Sequence, residues 1–106
     1  MSAPQVYGAR FVGGEYVQAV SPTGTTIALD LLVTQQRTGG TVNEACYHIA
    51  NTVFCHMKFG DNTVEADATC LLLAPGERLL VLPAQYISVI KSAGSSDGII
   101  RLTAVN

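Results

Sequence analysis

At 106 residues, 48% apolar and only 13% charged, the chain has room for one core and is too apolar to be a disordered segment. Six Lys/Arg against eight Asp/Glu leave a net charge of −2, and the basic residues Arg10, Arg37, Lys58, Arg78, Lys91 and Arg101 are scattered, which argues against a nucleic-acid partner. So few charges cannot cover the surface of a small domain, and part of that surface is expected to lie against another protein.

The opening "MSAPQVYGARF" lacks a charged segment leading into an apolar one, so no secretory signal is read there. Apolar runs of a few residues are far short of a membrane span, so no membrane partner is expected and the chain reads as soluble and cytosol-made. Residues 1–14 are interrupted by Pro4, Gly8, Gly13 and Gly14 and read as an arm; residues 15–106 read as a single domain.

Residues 15–20 are the first strand candidate, closed by a turn at Ser21, Pro22, Thr23 and Gly24. Residues 25–33 form the second, with Ile27, Leu29 and Leu31 on one face and Ala28, Asp30 and Leu32 on the other. A Gly/Thr/Gln-rich loop follows at 34–43, with room for one helical turn near residues 43–45. Residues 45–50 and 53–59 read as a hairpin turning at Asn51 and Thr52. In that register Cys46, His48 and Ala50 share the core face with Val53, Cys55, Met57 and Phe59. Tyr47, Ile49, Phe54, His56 and Lys58 form the opposite face, whose mixture of aromatic and polar groups suits a half-exposed or contact surface.

Gly60, Asp61 and Asn62 mark the next turn, and residues 63–66 a short edge piece. Residues 69–73 are apolar, and Pro75-Gly76 is a turn in which Pro presets φ and Gly supplies a positive one. A strand at 78–82 ends at Pro83-Ala84; another at 85–91 is well buried through Tyr86, Ile87, Val89 and Ile90. After the turn "SAGSSDG", residues 99–105 alternate Ile99, Arg101, Thr103 and Val105 against Ile100, Leu102 and Ala104. About eight short strands with a turn signal roughly every ten residues predict an all-β fold, an antiparallel, jelly-roll-like β-sandwich with an extended N-terminal arm.

Nothing in this pattern gathers into a reactive constellation. Cys46, His48 and Cys55 could share a face, but a tetrahedral zinc site needs a fourth ligand, and only Cys70 on another strand remains. Three buried thiols beside a hydrogen-bonded His are the simpler reading. Cys55 and His56 are neighbours on one strand and point to opposite faces, which argues against a nucleophile and base pair. Glu65 and Asp67 read as a solvated edge. "LAPGERLLVLPA" resembles the Pro-Gly turn, strand and Pro-Ala turn of small-barrel cupins, whose metal site needs an HxH pair, a Glu and a later His. Here His48 and His56 lie eight apart with no His after them. Neither a cofactor nor an enzymatic activity is expected.

One resemblance is more specific. Tyr47, Ile49, Asn51 and Thr52, then Val53, Phe54, Phe59, Gly60 and Asp61, then Leu73, Pro75 and Gly76, then residues 86–90, Ser92, Gly94 and residues 100–103 follow a familiar order. Over residues 45–105 the chain resembles the small β-sandwich capsid decoration, or cement, proteins of tailed bacteriophages. The resemblance implies a protein made in the host cytoplasm that binds the outer surface of an assembled head, as dimers or trimers over junctions of the major capsid protein. Another virion β-module, a head-fibre base or tail component, is the alternative, and a small jelly-roll ligand-binding or cupin-like protein is a more distant one. The motifs are packing and turn motifs and carry no contact residues. Candidate contacts to the capsid or to self are therefore drawn from the arm (Val6, Tyr7, Arg10, Phe11), the 34–43 loop (Gln35, Gln36, Arg37) and the mixed face (Phe54, His56).

Overall fold

A computed structural model describes residues 10–12, 22–42, 45–82 and 85–105. Alternating patterns and Gly, Pro and Asn punctuation yield nine strands among these: β1 (Arg10–Val12), β2 (Pro22–Leu31), β3 (Gln36–Arg37), β4 (Ala45–Asn51), β5 (Cys55–Gly60), β6 (Leu71–Leu73), β7 (Gly76–Leu82), β8 (Tyr86–Lys91) and β9 (Gly98–Val105). They form two antiparallel sheets, ordered β1-β7-β4-β9-β2 and β3-β8-β5-β6.

The pairs β2 with β9, β3 with β8, β4 with β7 and β5 with β6 nest like the two arms of one long hairpin. Its tip is the loop 61–70, and successive rungs alternate between the sheets. That wound hairpin is a jelly roll, as the strand pattern predicts. Arg10–Val12, assigned to the arm by sequence, pair with β7 at the edge of the larger sheet.

The core lies between the sheets. Leu31, Tyr47, Ile49, Leu80, Ile100 and Leu102 point inward from the larger sheet, and Cys55, Met57, Phe59, Leu73, Ile87 and Val89 from the smaller. Ile27 and Leu29 pack against them while Ala28 and Asp30 face out, so the expected alternation of β2 holds. Ile100 and Leu102 are likewise buried and Arg101 exposed.

The expected hairpin of β4 with β5 does not form. β4 pairs with β7 and β9, β5 with β6 and β8, and residues 52–54 cross between the sheets. The inward face of β4 is therefore Tyr47, Ile49 and Asn51, the reverse of the expected one, and His48 faces outward. Side chains alternate with a period of two, so replacing a two-residue turn by a crossing inverts the whole strand. The face expected for β5 is correct.

Asn51 makes the crossing stable. Its Nδ2 donates to the carbonyls of Val53 (3.0 Å) and Ala74 (3.0 Å), and its Oδ1 accepts from Arg78 Nη1 (2.8 Å). Arg78 Nη2 also donates to the Ala74 carbonyl (2.7 Å). One buried amide and one guanidinium thus tie the β4–β5 crossing to the β6–β7 corner. Gly76 turns that corner at φ +143°, as the Pro75-Gly76 signal predicts.

Three other expectations are revised. Pro22–Gly24 lie inside β2, at an edge where a register shift before Thr26 accommodates them. The 34–43 loop is partly an edge: β3 pairs with β8, and Val42 and Gln85 bridge through bonds of 2.8 and 3.1 Å. Residues 63–66 form no strand but fold over the sheet. The strand expected at 15–20 and the break at Pro83-Ala84 lie outside the described residues; of the helical turn near 43–45, only Ala45 is described, and it opens β4.

A candidate interaction face on the smaller sheet

Two rungs make up the middle of the smaller sheet's outward side. Register places Leu72, His56 and Ile90 in one row and Lys58, Ser88 and Arg37 in the next. The loop 61–70 folds back over the second row. Ser88 Oγ accepts the Ala66 amide (2.9 Å) and donates to Gln35 Oε1, while Arg37 Nη1 donates to the Val64 carbonyl (2.7 Å). Val64 and Ala66, within the loop, are buried, outside the main core.

Two turns shape the loop. Asp61 Oδ1 accepts the amide (2.8 Å) and hydroxyl (2.5 Å) of Thr63, and Asp67 Oδ1 accepts the same groups of Thr69 at the same distances. The threonine hydroxyls, then the amides, hold both carboxyls below their ordinary range. Cys70 closes the loop: its carbonyl accepts from His56 Nδ1 (3.0 Å), so that nitrogen carries the proton. His56 is thereby buried under the loop.

The other half of the face is uncovered. Phe54, two residues before His56, is 45% exposed; Leu72 is 52% exposed, and Val33, on the segment after β2, 75%. A depression of about 360 Å³ opens there, lined by Val33, Ala68, Ile90, Lys91 and the turn 92–95. Gly94 holds that turn at φ +84°. Lys91, whose register partner is the inward-facing Cys55, has its Nζ bonded to Asp97 Oδ1 (2.7 Å). On the outside of the larger sheet, by contrast, Thr26 and Thr103 exchange a hydroxyl bond of 2.7 Å and His48 Nε2 meets Glu77 Oε1 at 2.8 Å.

The structure separates the residues weighed for metal or nucleophilic chemistry. His48 lies outside one sheet, whereas Cys55 lies in the core between the sheets, so the shared core face expected for them does not exist. Burial pushes the Cys55 thiol up to about 11, against the opposing charge of Arg78. Of Cys46 only the backbone is described. Among the described residues no three His, Cys, Asp or Glu side chains converge as metal ligands. Glu65 and Asp67 are both exposed, as expected.

Of the candidate contacts, Phe54 and His56 share this face, Phe54 open and His56 covered. Gln35 and Arg37 are engaged in pinning the loop, and Gln36 Nε2 donates to the Thr34 carbonyl (3.4 Å). Arg10 and Phe11 sit on β1, and Val6 and Tyr7 lie outside the described residues. Leu72, Ile90 and Val33 belong to the open face and were not anticipated, because each reads from sequence as an ordinary strand apolar residue.

No family model matches the chain, and no curated protein and no solved structure matches it.

Proposed function

We propose that this protein is a capsid decoration protein: it binds the outer surface of an assembled phage head, as an oligomer, and stabilises contacts between major capsid protein subunits. The observation that carries this reading is the open apolar face of the smaller sheet, on a sandwich whose core is already closed. An exposed group of Phe, Leu and Val side chains is built to be covered by protein. Two further points support it. The residues of the phage resemblance occupy packing and corner positions, among them Asn51, Phe59, Gly76 and Gly94. The jelly roll also recurs in viral shells, an analogy at the level of fold alone.

Such a protein works by linkage. A clamp that binds the assembled shell and not its free subunits stabilises the shell by about 2.7 kcal/mol per site when free clamp stands at a hundredfold its Kd. Many sites add, and each shell junction resists expansion more strongly.

The test is cosedimentation of the purified protein with shells that lack it, followed by heating. Saturation at a stoichiometry set by the shell's symmetry, with a raised disruption temperature, is the expected result. Shells that neither bind the protein nor gain heat resistance would refute the reading. Deleting residues 1–9 spares β1 and is expected to lower shell occupancy; unchanged occupancy removes those residues from the grip.

A further inference from the structure

We infer that the open half of the smaller sheet's outer face is a two-fold self-association surface, in which Phe54 of each copy enters the depression of the other. It deepens the proposed function by naming the self-association face, and rests on it only for the premise that copies associate.

The face carries a projection and a matching recess side by side. The Phe54 carbonyl accepts the Ser92 amide (2.9 Å), which anchors this residue beside the turn 92–95. That turn is one wall of the 360 Å³ depression, yet Phe54 is not among the lining residues, so the ring stands next to the recess and does not fill it. A two-fold axis lying in the interface between ring and recess brings each ring over the other copy's recess. Such an interface must be self-complementary, and a patch holding both knob and hole meets that condition. An aromatic ring entering a recess lined by Ile90 and Ala68 is the kind of central anchor that dominates binding energy.

Charge points to the same occupant. A face that meets its own copy places every charge near its duplicate, which like-charge repulsion penalises. Here Lys91 is paired with Asp97, the exposed Asp67 beside Ala68 lies in the field of Lys58, and Phe54, Leu72, Val33 and Ile90 carry no charge. Leu72, in the row next to Phe54, extends the apolar area on each copy.

Sedimentation velocity over a concentration series, on the purified full chain, tests this. The wild type is expected to dimerise in the micromolar range. Phe54→Asp removes the knob and Ala68→Trp fills the hole; each is expected to weaken association about thirtyfold, the effect of losing an interface hot spot. Both positions are exposed, and unchanged circular dichroism and melting temperature check the fold. The decisive measurement is the equimolar mixture: a Phe54→Asp copy keeps its hole and an Ala68→Trp copy keeps its knob, so one of two contacts is restored and association exceeds that of either variant alone. A wild type that stays monomeric to roughly 100 μM, variants that dimerise as the wild type does, or a mixture no better than its components would each overturn the inference. Shell binding is measured separately. A monomer that coats shells overturns the dimer and leaves decoration standing; a dimer that ignores shells does the opposite.

Discussion

Replacing Asn51 by Ala is expected to destabilise the fold by about 3 kcal/mol, and the figure follows from the geometry. The amide has two hydrogens, and its two short contacts are to Val53 and Ala74 at 3.0 Å; Leu73 O at 3.4 Å and Cys55 Sγ at 3.7 Å are secondary. Two neutral bonds contribute roughly 1 kcal/mol each, and the bond accepted from the charged Arg78 about 1.5–3. The loss is smaller than their sum, because the Ala74 carbonyl keeps Arg78 Nη2. With a urea m-value of roughly 1.5 kcal/mol/M, the midpoint falls by about 2 M at unchanged m. Arg78→Met removes the other half of the knot, and a double-mutant cycle is expected to return a coupling of about 1–2 kcal/mol. A midpoint shift below roughly 0.5 M for Asn51→Ala would refute the claim that this amide holds the crossing.

Three further outcomes are expected. The Cys55 thiol titrates near 11 in the fold against an ordinary 9.0, so the folded state holds its proton more tightly; that stability is complete below pH 9 and drains away between pH 9 and 11. The wild-type urea midpoint is therefore expected to fall more steeply with alkali than that of Cys55→Ala, and parallel profiles would contradict the burial argument. Ser88→Ala orphans the Ala66 amide at a cost of about 1–3 kcal/mol, and hydrogen exchange at Ala66 is expected to accelerate; unchanged protection there would mean the hydroxyl does not hold the loop. Gly98→Ala drives a Cβ to within 2.5 Å of Thr52 Oγ1 and 2.7 Å of Val53 Cγ2 and is expected to cost about 1–3 kcal/mol, whereas Ala at Gly39 or Gly40 meets nothing within 4 Å and is expected to leave the melting temperature in place.

The parts legible in the sequence are those governed by local pattern. Ile27, Leu29 and Leu31 on β2, Cys55, Met57 and Phe59 on β5, and Ile100 and Leu102 on β9 declare their inward faces by simple alternation. The face of β4 was not legible, because it depends on whether Asn51 and Thr52 turn the chain within a sheet or carry it to the other. Asn is a turn former in either case, and only the partners Val53, Ala74 and Arg78 distinguish the two. The covering loop was half legible: Val64 and Ala66 do alternate with Thr63, Glu65 and Asp67, but against the outside of a sheet and not within one. The outward placement of Phe54 was legible because an aromatic residue shared its inferred face with polar ones, and it is exposed. The exposure of Leu72 and Val33 was not, since an apolar residue in an apolar stretch looks the same whether or not anything covers it.

The nested pairing also dictates an order of events in folding. β9, last of the strands in chain order, lies between β2 and β4, and β8 lies between β3 and β5. Each sheet is thus a frame of early strands waiting for a late one to be inserted at its middle. During synthesis β2 and β4 emerge with open edges that cannot be satisfied until residues up to 105 have left the ribosome, so most of the fold forms after the chain is released to that point and proceeds slowly, as topologies dominated by distant pairings do. Until then the apolar faces of β4 and β5 are unshielded, which makes the nascent chain, more than the finished sandwich, the form most exposed to aggregation.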